Sequence, residues 1–291
     1  MKRDAQKAIG IALVVTLLGV LALVGCTQEE GQQQPDEQQQ EQQQQQEAVE
    51  LQVFAANSLS AAMAEVQEAY MQSHEGITFA DTQFLSSGEL NEQLAAGGYA
   101  DILISASEGK MKDAVEAGLV DEATRITMFK NDLVMVTAEG SSIQPCTLED
   151  IATGMYTVSV GDESVPAGNY ACQSLYTVEC YSDPSGIGGE FINALAEPGR
   201  VILNSSVGNV ARTAETGDVD IAFVYSSDVY RFDGLRVAGI VPADTHKNIL
   251  YPAAVTAQSD HPQEAADFIQ WCISDQEAIK IWQSWGFELV S

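Results

Sequence analysis

Alternating apolar strands and amphipathic helices along Leu51–Ser291 predict an α/β protein of two lobes. Two observations carry this expectation. Three strand–helix units follow one another from Leu51 to Gly118, a run that builds a parallel sheet with right-handed crossovers covered by helices. A second alternation begins at Asn131, and the chain closes on two helices after Tyr251, so it crosses between lobes near Asn131 and returns near Tyr251. Two crossing strands make a hinge, and clefts between hinged lobes are where small ligands are enclosed.

The elements follow in order. LQVFAA reads as a strand, and Leu59, Met63, Val66 and Tyr70 then recur at helical spacing. ITFADTQFL is a second extended run, GELNEQLAAG a short helix with Leu90 and Leu94 on one face, and ADILISA a buried strand. Met111, Ala114 and Val115 form the next helix stripe, closed by Gly118. In the second alternation NDLVMVT is a strand, TLEDIAT a helix, MYTVSVGD a strand, and PAGNYACQSL and VGNVARTAETG begin helices. DIAFVYSSD, LRVAGIV and ILYPAAVT are strands, and PQEAADFIQWCIS and DQEAIKIWQSW are the closing helices, the last expected to start on Ser274 with Glu277 as a capping box. In such folds ligands sit beyond the carboxyl ends of the strands, where the turns enter the helices. The first such turn, at Asn57 and Ser58, opens a helix whose mouth has unpaired N–H groups and a partial positive charge.

The globular part does not begin at Met1. MKRDAQK is a basic n-region, AIGIALVVTLLGVLALVG an apolar h-region, and Gly25 a small residue before Cys26. The apolar run is also long enough to serve as an uncleaved anchor. LVGC resembles the lipobox of bacterial lipoproteins, which implies that residues 1–25 are a signal peptide and that Cys26 is lipidated. Either reading exports the chain and tethers it to the outer face of the cytoplasmic membrane. Residues 26–48 are rich in Gln and Glu and cannot bury a core, so they form a disordered tether with a reach of roughly 25 Å.

The formal net charge is −29, and removing Lys2, Arg3, Lys7 and Asp4 with the export segment brings it to about −31. This excludes nucleic acid as a partner, since that needs a basic footprint. An anionic ligand is compatible, because the global field is screened over about 8–10 Å whereas pocket dipoles act at contact distance. Cys146, Cys172, Cys180 and Cys272 remain after Cys26, and four cysteines allow three full pairings. Cys272, beside Phe268, Ile269 and Ile273, reads as a core thiol. Cys172 and Cys180 can pair only if the helix between them breaks. No Cys/His spacing suggests a metal site. His74, His246 and His261 are scattered and no serine stands in a G-x-S-x-G context, so no catalytic residues are expected and the chain is not read as an enzyme.

Several turns share one chemical character: Asn57–Ser58, Ser86–Ser87–Gly88, Pro166–Ala167–Gly168, Asn209–Val210 and Tyr225 all offer hydroxyl or N–H donors and no formal charge. FAANSLSAAM, FLSSGEL, ADILISA, VGDESVPAGNYA, GNVAR, IAFVYSSD and HKNILYPAAV, in this order, resemble the molybdate-binding proteins of ATP-binding-cassette importers over nearly all of Leu51–Ser291. The resemblance implies a type II periplasmic-binding-protein fold with mostly parallel sheets, lobe I being residues 49–130 with 248–291 and lobe II residues 131–247. It also implies that Ser58 and Ser87 donate to a tetrahedral oxyanion by hydroxyl and N–H, with Asn57 adjacent, that Ala167 and Val210 donate N–H, and that Tyr225 donates its hydroxyl.

The implied ligand is molybdate or tungstate, with no separate cofactor and no direct metal-cation ligand. The implied partners are a permease with its ATPase, and the chain is expected to be a monomer. An all-donor pocket suits a dianion without a proton, whereas phosphate needs an acceptor. Another tetrahedral dianion such as sulfate, and a role as an oxyanion sensor, are the alternatives. The segment from Leu175 to Leu203 departs from the pattern, being longer than the family's usual connection.

Overall fold

Short strands, the central ones fully buried, and helices with one apolar face leave the chain a single economical arrangement, sheets sandwiched by helices. The computed structural model describes residues 48–290. The signal segment, Cys26 and all but the last residue of the tether lie outside the described residues.

The first unit runs through β1 (Val49–Leu51), β2 (Val53–Ala56), α1 (Ser60–Ser73), β3 (Ile77–Phe79), β4 (Gln83–Leu85), α2 (Ser87–Ala95), β5 (Ile102–Ile104), α3 (Glu108–Glu116) and β6 (Ile126–Asn131). The second runs through β7 (Leu133–Ala138), α4 (Leu148–Ala152), β8 (Val158–Gly161), α5 (Pro166–Thr177), β9 (Val201–Asn204), α6 (Val207–Glu215), β10 (Ile221–Tyr225) and β11 (Leu235–Ile240). The chain then returns through β12 (Ile249–Val255), α7 (Pro262–Ser274), α8 (Gln276–Ser284) and β13 (Glu288–Leu289).

Two main sheets result, a six-stranded one ordered β13-β6-β12-β5-β2-β4 and a five-stranded one ordered β11-β7-β10-β8-β9. Only Asp132 separates β6 in one sheet from β7 in the other, and residues 241–248 carry the chain back from β11 to β12. The expectation of mostly parallel sheets holds for the strand–helix units: β2 is parallel to β4 and β5, and β8 to β9 and β10. It does not hold where the chain passes between sheets. There β12 runs antiparallel to β5 and β6, and β7 antiparallel to β10 and β11, because a strand arriving from the other sheet enters without a helical crossover to reverse it.

β6 is absent from the sequence reading because ITMFKN mixes buried and exposed residues without clean alternation. The start of the last helix is also corrected. Ser274 is the final residue of α7 and its hydroxyl donates to the Gln270 carbonyl, while Asp275 caps α8 by accepting the N–H groups of Glu277 and Ala278. The closing helices bury Trp282, which packs on Phe129 at 4.5 Å, and Phe268, which meets Tyr70 at 5.0 Å. The four cysteines among the described residues are buried free thiols, although α5 does end before Cys180. Burial pushes the Cys172 thiol up to about 12. The segment after α5 packs Tyr181 on Phe191 at 5.2 Å and delivers β9 as the edge strand of its sheet. Among the described residues no helix is long and apolar enough to cross a membrane.

The start of α5 presses on β8 so closely that a Cβ on Gly168 meets the Gly161 carbonyl oxygen at 2.1 Å. Gly168→Ala is therefore expected to lower stability by about 1–3 kcal/mol through overpacking. Gly140→Ala, where a Cβ meets nothing within 4 Å, is the matched control. Urea unfolding of both variants checks this, and equal midpoints would refute the packing argument.

Candidate functional site

Where a strand stops and a helix starts, backbone N–H groups are left without partners, and here several such turns face one point. Ala56 ends β2 and the 3₁₀ turn Asn57–Leu59 leads into α1. Leu85 ends β4, and Ser86 caps α2 by accepting the Glu89 N–H while the Glu89 carboxylate accepts the Ser86 N–H. From the other sheet, Pro166 occupies the first turn of α5, where its missing N–H costs nothing. Ser206 caps α6 by accepting the Asn209 N–H at 3.2 Å, and Tyr225 ends β10.

These turns enclose a cavity of about 10 Å³. Ala56, Asn57, Ser58, Leu85, Ser86, Ser87 and Ala106 line it from the six-stranded side, and Val165, Pro166, Ala167, Val207 and Tyr225 from the five-stranded side. No lining residue carries a formal charge. The dipoles of α2, α5 and α6 and the turn into α1 all present their positive ends to the cavity.

Its walls are donors. The N–H groups of Ser58, Ser87, Ala167 and Val207 make no hydrogen bond among the described residues. The Tyr225 hydroxyl is buried and likewise lacks a partner. Burial, with Tyr251 as the next cause, holds its pKa well above the ordinary tyrosine value, so it keeps its proton and donates. The Ser87 oxygen accepts the Ala106 N–H at 3.0 Å, which leaves its proton for the cavity. Ser58 shares a hydrogen bond of 3.0 Å with the Tyr251 hydroxyl, itself buried and raised in pKa by desolvation.

Contacts between the two sides hold the cavity shut. Ser86 donates its hydroxyl to Ser164 at 3.0 Å, and the Gly88 N–H donates to the Ser164 carbonyl at 3.2 Å. The Asn57 side-chain oxygen accepts the Gly208 N–H at 3.2 Å and an Arg231 N–H at 3.4 Å. Arg231 is paired with fully buried Asp228 at 2.6 Å. Burial raises the Asp228 pKa, the Arg231 charge works against that rise, and the Tyr225 N–H donates to the same carboxylate.

The structure thus brings Asn57, Ser58, Ser87, Ala167 and Tyr225 to one cavity. Asn57 does so chiefly as a contact between the two sides. Val210 is not at the cavity: its N–H bonds to the Ser206 carbonyl at 3.1 Å and its side chain is fully buried. Val207 stands in its place, because Ser206 caps α6 and starts the helix three residues before Val210. That signal was present as S-x-x-N at Ser206–Asn209. Sequence reasoning also missed Ala106, Arg231 and Tyr251. For Arg231 the i,i+3 spacing from Asp228 was a usable sign, whereas nothing local marks Tyr251.

Comparison with known proteins places these features in context. A putative ABC transporter substrate-binding lipoprotein of Bacillus subtilis is 27% identical over 274 residues, covering 94% of this chain and 96% of that protein. The molybdate-binding protein of Escherichia coli is 29% identical over 247 residues, covering 82% of this chain and 89% of that one. Among solved structures, the substrate-binding domain of a putative molybdenum ABC transporter from Clostridium difficile matches with a TM-score of 0.61 and 29% identity, covering 84% of this chain and all of that one. The model of the bacterial extracellular solute-binding protein family matches residues 51–288, most of this two-sheet chain with its donor-lined cavity, and the chain belongs to that family.

Proposed function

We propose that this protein is the extracytoplasmic binding component of an ABC importer, held to the outer face of the membrane through Cys26, and that it captures molybdate or tungstate and delivers it to a permease. The observation that carries this reading is the Tyr225 hydroxyl, a buried donor with no partner on the wall of a cavity ringed by four free N–H groups. A buried unsatisfied donor costs about 1–3 kcal/mol, and an anion in the cavity recovers it. Each hydrogen bond to a charged oxygen contributes about 1.5–3 kcal/mol. Ser58, Ser87, Ala167, Val207 and Tyr225 bind the oxyanion, and Asn57 supports the closed form.

Similarity to the molybdate-binding relatives favours the larger metal oxyanions. Sulfate, a tetrahedral dianion that likewise carries no proton, is the second reading, because the uncharged lining offers it the same donors. Both share the absence of a lining carboxylate that could accept a proton from phosphate.

Titration calorimetry with molybdate, tungstate, sulfate and phosphate separates these readings. Tight binding of the two metal oxyanions, weaker binding of sulfate and the weakest but still measurable binding of phosphate is expected; the reverse order overturns the assignment. Tyr225→Phe is expected to weaken molybdate binding by about tenfold or more, the loss of one charge-assisted bond. It should leave the melting temperature of the unliganded protein unchanged or slightly raised, since the hydroxyl has no partner to lose. Ser87→Ala is expected to lower both affinity and melting temperature, because it also strands the Ala106 N–H. Calorimetry paired with thermal melts checks both, and a Tyr225→Phe protein that binds like the parent sinks the donor set.

A further inference from the structure

A hydroxyl can donate or accept, so a pocket that relies on serine must settle which way each proton points. At Ser87 the Ala106 N–H occupies the oxygen from behind. At Ser58 the neighbour is another hydroxyl, and the direction has to be set further away. We propose that Asn131, at the crossing between the sheets, sets the direction of a buried relay through Tyr251 that holds Ser58 as a donor and so makes the site reject anions carrying a proton. The inference rests on the reading of the cavity as an oxyanion site.

The orientation of the Asn131 amide follows from its neighbours. Its oxygen accepts the Asp132 N–H at 2.9 Å and the Ser226 hydroxyl at 2.7 Å. Its nitrogen therefore faces the Ser227 oxygen at 2.8 Å and the Tyr251 hydroxyl at 3.5 Å. An amide nitrogen only donates, so the Tyr251 oxygen turns a lone pair toward it. The one acceptor left for the Tyr251 proton among the described residues is Ser58 Oγ, at 3.0 Å. Ser58 and Tyr251 are both shut off from solvent, so water does not compete for these bonds. With its oxygen engaged, Ser58 has the cavity as the direction for its own proton. Asn131 and Tyr251 are positioning residues, since neither lines the cavity.

Asn131→Asp reverses the relay with almost no change of shape. A carboxylate keeps the oxygen that serves Asp132 and Ser226 but puts a second acceptor where the amide nitrogen stood. The Tyr251 proton then turns to residue 131, the Ser58 proton turns to Tyr251, and Ser58 meets the cavity with a lone pair. That lone pair accepts the proton of hydrogen phosphate and repels an unprotonated dianion. Tyr251→Phe cuts the relay without adding charge.

The test is calorimetry of the parent, Asn131→Asp and Tyr251→Phe with molybdate, tungstate, sulfate and phosphate, at a pH where phosphate is the hydrogen-phosphate dianion. The added charge in Asn131→Asp weakens all anions alike, so the readout is the ratio of phosphate to molybdate affinity, with sulfate replacing molybdate if sulfate is what the parent binds. That ratio is expected to rise about tenfold or more in Asn131→Asp and about threefold in Tyr251→Phe, which thermal melts should find folded. A ratio unchanged from the parent in both variants overturns the relay. Should Asn131→Asp fail to fold, the Tyr251→Phe ratio decides alone. Failure of the underlying reading shows instead in the parent, which then binds none of the four anions.

Discussion

The hydroxyl of Tyr225 lies at the end of β10, buried and without a partner, a cost of about 1–3 kcal/mol that the fold carries in advance. Free N–H groups at Ser58, Ser87, Ala167 and Val207 surround the same small space. Three of them belong to turns whose geometry is fixed by something other than a ligand: a capping box at Ser86, a proline at the start of α5, a serine cap at Ser206. The donors are thus pre-aimed by ordinary helix-starting chemistry, and their polarity needs no charged side chain. A strongly acidic protein can hold an anion on these terms because dipoles at contact distance are not overwhelmed by a screened surface field.

The same economy governs the hinge. The passage from β6 to β7 leaves one residue between sheets, and Asp132 is tied to both sides: its N–H donates to Asn131, and its carbonyl accepts the Ser226 N–H at 2.9 Å. Around it Tyr251 stacks edge-on against Tyr225 at 5.8 Å and against Phe287 at 5.5 Å. The hinge is therefore a packed aromatic and polar layer directly behind the binding turns.

Much of this was legible in the sequence, and what was not has definable causes. The strand–helix units were readable because their apolar residues keep clean helical or strand periods, as Leu90 with Leu94 and the run ADILISA show. Ser58, Ser87, Ala167 and Tyr225 were readable because each stands at a strand end or helix start whose chemistry is local. Val210 was misplaced in favour of Val207 because helix boundaries depend on which of several polar residues caps, and Ser206 wins by accepting the Asn209 N–H. The Ser274 start failed for the same reason, Asp275 being the better cap beside it. β6 lacks a period, since it is buried between β12 and β13 while its far end carries exposed Lys130. Tyr251 is 193 residues from Ser58 in sequence, and a hydrogen bond between them leaves no local trace.

The contacts that close the cavity are few and small: Ser86 and Gly88 with Ser164, and Asn57 with Gly208 and Arg231. A side chain on Gly88 would press on Ser164 at 3.0 Å, so the surfaces meet only because the residues there are minimal. Three of these four hydrogen bonds join neutral groups, at about 0.5–1.5 kcal/mol each, and only the one from Arg231 has a charged donor, so the hold on the closed arrangement is modest. Dissociation of bound cargo must break them together with the bonds to the cargo itself. Residence time is thereby divided between two sets of contacts, and a docking partner that pried apart only the Ser164 side could shorten it without touching a single atom of the binding turns.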